Sequence, residues 1–96
     1  MTNAEILTML QVDLGELFAS EQRLAYLQQC ISAAQAFISR EGINLTDSIE
    51  DGQLVEMYAA YLVRKRATQE PMPRMLRWAL NNRLFSQNAQ VSSDAT

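Results

Sequence analysis

Apolar positions recur along most of the chain with the three- and four-residue spacing of a helix, in four stretches separated by Gly or Pro. The first runs from Thr2 to about Leu14. Thr2 and Glu5 have the spacing of a capping box, Ile6, Leu7, Met9 and Leu10 follow, and Gly15 stops the pattern. Residues 16–19 read as a loop. Ser20 then caps a longer helix that ends at Gly42. In it Leu24, Leu27, Ile31, Ala34 and Ile38 form one stripe, and Tyr26, Cys30, Ala33 and Phe37 a second beside it. After the short link Ile43–Thr46, Asp47 and Glu50 again show capping-box spacing. A third helix is predicted from about Ser48 to Ala67, with Leu54, Met57, Tyr58, Tyr61 and Leu62 as its core stripe. Pro71 and Pro73 interrupt the chain, and Pro73 suits the first turn of a fourth helix. Met72, Met75, Leu76, Ala79, Leu80 and Leu84 make its inner stripe, with Trp78 and Phe85 on roughly the opposite side. From Ser86 on the residues are small and polar. The pattern predicts an all-α protein, a small bundle of about four helices in one domain over residues 1–86. A disordered, flexible polar tail is expected over 87–96.

The second helix has an outer face of Ala25, Gln28, Gln29, Ser32, Gln35, Ala36 and Ser39, and no charge between Arg23 and Arg40. Solvated helix faces usually carry Lys or Glu. Two readings fit: this helix is central and touched by several neighbours within one subunit, or its face packs against another chain without stranding a charge. Trp78 and Phe85 pose the same choice. They either fold under a loop or the tail, or anchor a partner.

The net charge of −3 conceals a division. Residues 1–56 hold nine acids and two bases, a balance of −7, and residues 57–96 hold six bases and two acids, a balance of +4. Acids near helix starts and bases near helix ends complement helix dipoles. The same division would let copies attract one another head to tail. Arg64, Lys65, Arg66, Arg74, Arg77 and Arg83 are expected to face acidic surfaces of neighbouring chains, with pairing to Glu56 or Glu70 inside the subunit as the alternative.

Chemistry is narrowed by what the chain lacks. It has no His, which removes the Ser-His-Asp and Cys-His arrangements, and its one Cys, Cys30, lies in an apolar stripe. Gly15, Gly42 and Gly52 are isolated, so no phosphate-cradling loop is present. Glu50 and Asp51 diverge on a helix and are read as N-terminal helix charges. No enzyme activity, cofactor or metal is expected. The longest apolar run, Met57–Val63, is far short of a membrane span, and no basic-then-apolar leader opens the chain. A soluble protein of a reducing compartment is expected.

The layout also has a familiar look. A short helix ends at Leu14–Gly15, and a long one runs into Ile38–Ile43 (ISREGI). After Asn44–Ser48 (NLTDS) come Met57–Arg66 (MYAAYLVRKR) and Pro71–Phe85 (PMPRMLRWALNNRLF). Over residues 2–86 this resembles the small head–tail connector proteins of long-tailed double-stranded DNA phages and prophages, also called head-completion or adaptor proteins. The resemblance implies a virion structural protein that forms a dodecameric ring beneath the portal protein after DNA packaging. The ring would extend the DNA channel and dock the stopper or tail-completion protein. DNA would pass through without sequence-specific binding. The location implied is the head–tail junction of the virion, with the host cytoplasm during assembly. No family motif fixes contact residues. The candidate subunit and partner surface is therefore physical inference: Gln28, Gln29, Ser32, Gln35, Arg64, Lys65, Arg66, Arg74, Arg77, Trp78, Arg83 and Phe85. A competing reading is a small helical DNA-binding regulator using the basic C-terminal half, although a pI near 4.8 opposes general nucleic-acid binding. A third is a helical interaction module with no DNA role.

Overall fold

A computed structural model describes the backbone of residues 1–94 and the side chains of residues 1–89. Four helices follow one another: α1 (Asn3–Leu14), α2 (Glu21–Arg40), α3 (Ile49–Thr68) and α4 (Arg74–Asp94). No strand occurs among the described residues. The molecule is elongated, 52 × 27 × 18 Å.

Local chemistry sets the helix ends. The Thr2 hydroxyl accepts from Glu5 N at 3.2 Å, and Thr2 N donates back to the Glu5 carboxylate at 2.9 Å, completing the capping box. Gly15 closes α1 in the left-handed region at φ 70°, its N–H donating to the carbonyls of Gln11 and Val12. The Ser20 hydroxyl caps α2 through Arg23 N at 3.1 Å. In α3 the cap differs from the sequence expectation. Ser48, not Asp47, receives the third-residue amide, from Asp51 N at 3.1 Å. The carboxylate that matters is thus Asp51, which turns back to Thr46, rather than Glu50. Gln69, at φ 57°, ends α3.

The core joins Ile6 and Leu10 of α1, Leu27, Cys30, Ile31, Ala34 and Ile38 of α2, Leu54, Val55, Tyr58, Ala59, Ala60 and Val63 of α3, Leu76 and Leu80 of α4, and Ile43 of the link. The central helix is α3, since α1, α2 and α4 all lie against it. Its burial therefore extends beyond the expected stripe to Val55, Ala59, Ala60 and Val63, while Met57, Tyr61 and Leu62 are half-buried. Met1 crosses Gly52 so closely that an added Cβ would lie 2.5 Å from its sulfur, and the terminal amine donates to the Asp47 carbonyl.

The last helix does not stop near Phe85. It runs to Asp94, so the tail expected over 87–96 is helical over 87–94, and residues 95–96 lie outside the described residues. No Gly or Pro interrupts Arg74–Asp94, and Gln87 ties this part of the helix to the link. Its amide donates to the Gly42 carbonyl at 2.8 Å, and its oxygen accepts Asn44 N at 2.7 Å.

Candidate functional site

The uncharged face of α2 is open. Leu27, Cys30, Ile31, Ala34 and Ile38 turn inward, which leaves Ala25, Gln28, Gln29, Ser32, Ala36 and Ser39 exposed. Gln35 is half-buried and donates to the Asn3 side chain at 3.0 Å. The lack of charge on this face is thus not explained by contacts inside the subunit. Of the second stripe, Tyr26 and Ala33 are half-buried, and Phe37 sits at the surface stacked on Tyr58 with ring centroids 5.9 Å apart.

A second open surface lies on α4. Leu76 and Leu80 seat it, and the opposite side shows Trp78 at 65% exposure and Phe85 at 74%. Met75, expected on the inner stripe, is also exposed. It stands about 100° around the helix from Leu76, which takes it off the narrow contact with α3. Trp78 borders an open groove between α3 and α4, shared with Leu54, Met57, Ala79 and Asn82. A third apolar surface lies where α1 turns into α2: Val12 of α1 and Leu17 and Phe18 of the loop are exposed. Phe18 there is wholly uncovered.

Most of the candidate cations have partners inside the subunit. Arg64 approaches Asp13 at 3.5 Å, Lys65 lies over the Tyr61 ring and Arg66 over Tyr26. Arg77 holds Glu41 with both terminal nitrogens, at 2.7 and 3.1 Å. These partners inside the subunit are Asp13, Glu41 and Asp51, not the Glu56 or Glu70 of the alternative reading. Among the described residues Arg74 has no ion-pair partner.

Arg83 is the most deeply committed. It donates through Nε to Asp51 Oδ1 at 2.7 Å and through Nη2 to Asp51 Oδ2 at 3.1 Å and the Asn44 carbonyl at 2.8 Å. Thr46 adds its N–H at 2.7 Å and its hydroxyl at 2.8 Å to the same carboxylate. Asp51 is 2% exposed. Burial raises its pKa, but the bonds from Arg83 and Thr46 outweigh that and hold it below the usual carboxylate range. Asp51 thus fastens α4 to the start of α3, a role sequence reasoning missed. The clue was an acid at a helix start and an arginine in the next helix, and sequence does not pair residues 32 apart.

Glu56 is the second buried acid, 7% exposed. One of its oxygens, Oε1, is buried with no hydrogen-bond partner. Burial, then the neighbouring Asp13, pushes its carboxyl up to about 7, against the opposing pull of Arg64.

Among the described residues, no group of three or more Cys, Asp or Glu could hold a metal ion, and no helix is long and apolar enough to cross a membrane. No protein-family model, curated protein or solved structure matches the chain.

Proposed function

We propose that the chain is a non-catalytic virion structural protein, a head–tail connector that forms a ring beneath a portal protein, extends the DNA channel and docks the next connector or tail protein. The observation that carries this reading is the pair of unpartnered surfaces on one small subunit. The α2 face of Gln28, Gln29 and Ser32 is open and uncharged, and the α4 face of Arg74, Trp78 and Phe85 is open and aromatic. A ring subunit that also docks a different protein needs two such surfaces. An uncharged face suits repeated lateral contact. Exposed Trp beside Arg suits an anchored one. The helix order and the segments Met57–Arg66 and Pro71–Phe85, which resemble the connector proteins, supply the particular class. The subunit number, a dodecamer, rests on that resemblance alone.

The regulator reading has less support. Arg64, Arg77 and Arg83 each face a carboxylate of their own subunit, which leaves fewer bases for phosphates.

Co-expression with the portal protein of the same genome tests the proposal. The two proteins are expected to co-purify at low and moderate salt, and Trp78→Ser with Phe85→Ser is expected to abolish or sharply weaken capture while the circular-dichroism spectrum is unchanged. Failure of the native chain to co-purify, together with salt-dependent binding to random duplex DNA, would favour the regulator.

A further inference from the structure

We propose that Asp13, Glu56 and Arg64 form a proton-operated latch between the C-terminal turn of α1 and the middle of α3, closed while Glu56 carries its proton and loosened when that proton leaves. Glu56 is buried on α3, one turn pair before Arg64, and Asp13 comes to meet them from the last turn of α1. Arg64 reaches Asp13 only through a single 3.5 Å contact, with both side chains close to half exposed. One arginine at that distance cannot balance two carboxylates when one of them is buried. The orphaned Oε1 of Glu56 points the same way: a buried carboxylate oxygen without a donor is costly, whereas a protonated Glu56 buries no charge beside Asp13.

Among the described residues no other charged group faces Glu56. From α2, Arg23 is turned to Glu16 in a bidentate pair at 2.6 and 2.8 Å, and also lies over Tyr26. From α4, Arg77 and Arg83 are taken up by Glu41 and Asp51. From α3 itself only Arg64 contributes. Release of the proton therefore sets Asp13 and Glu56 against each other, and the yielding partner is the end of α1. α1 is the shortest helix; its buried anchors are Ile6 and Leu10, and its last turn adds only the half-buried Leu14. What moves with it is the turn that carries Val12, Leu17 and Phe18, so the latch governs how firmly that apolar corner is held. The latch stands independently of the connector reading.

Two measurements on the full chain test this. The first is a carbon-13 NMR titration of the Glu and Asp side-chain carboxyls in the native protein. Glu56 is expected to titrate near neutrality, and a midpoint in the ordinary Glu range would overturn the latch. The second is amide hydrogen exchange, corrected for intrinsic rates, from pH 6 to pH 8. Opening of amides in the last turn of α1 is expected to grow roughly tenfold over that range, because the closed form loses the stabilisation of the bound proton as pH rises through about 7. Glu56→Gln, whose amide can donate to Asp13, is expected to abolish that growth. An unchanged pH response in Glu56→Gln, or a response spread evenly over all four helices, would contradict a local latch. If Glu56→Gln does not fold, the native titration alone decides.

Discussion

Asp51 and Glu56 are buried acids five residues apart on the same helix, and the fold treats them in opposite ways. Asp51 keeps its charge because Arg83 and Thr46 surround it with donors. Glu56 has one distant arginine, a second acid beside it and an orphaned oxygen, so it gives up its charge near neutrality. Burial alone therefore does not decide whether a carboxylate is a staple or a weak point; the donors brought by neighbouring helices do. The two acids also divide the molecule. Asp51 sits where α4 is fastened, and Glu56 where α1 ends.

Removing the staple should have the largest effect. Arg83→Ala leaves Asp51 buried without its counter-charge, with only the Thr46 donors, and is expected to cost about 3 kcal/mol in urea unfolding at pH 7. The native Asp51 term is present above the unfolded carboxyl value of 3.8 and is lost as pH falls through its lower folded value, so the gap between native and Arg83→Ala should close in acid. A loss below about 0.5 kcal/mol would make the pair an ordinary surface contact.

Glu56 has the opposite sign. Its folded pKa lies above the unfolded value of 4.5, so its contribution is full below 4.5 and is lost as pH rises to about 7 and beyond. Glu56→Gln should therefore exceed the native chain in stability by about 2 kcal/mol at pH 8, with the difference shrinking toward pH 5. Equal stabilities at pH 8 would contradict the contrast between the two acids.

Smaller effects sharpen the picture of how α4 is held. Gln87→Ala removes two hydrogen bonds to the 42–44 backbone and is expected to lower stability by about 1 kcal/mol, seen as a shift of the urea midpoint. Arg77→Ala breaks a more exposed pair with Glu41, and the expected change in the same measurement is about 0.5 kcal/mol.

Much of the fold is legible in the sequence, because local rules act there. The Thr2–Glu5 box, the Ser20 cap and the Leu27–Ile31–Ala34–Ile38 stripe depend on neighbours within a turn or two, and each occurs as the spacing predicts. The wider burial of α3 does not read this way. Ala59 and Ala60 give no strong periodic signal, and their burial follows from helices arriving on several sides. The length of α4 was hidden by its polar composition, since the anchoring of Gln87 uses backbone groups 45 and 43 residues away. The candidate surface divides along the same line. That Gln28, Gln29, Ser32, Trp78 and Phe85 face outward follows from helical spacing. That Arg64, Arg77 and Arg83 spend their charge inside the subunit depends on which helices meet, and no spacing rule encodes that.

The most direct test of the connector proposal is electron microscopy of the chain purified with the portal protein of its own genome. The proposal requires a ring of added density beneath the portal, with α2 faces between subunits and the Trp78–Phe85 side against a different protein. A bare portal under conditions in which both proteins are folded and in excess would contradict it.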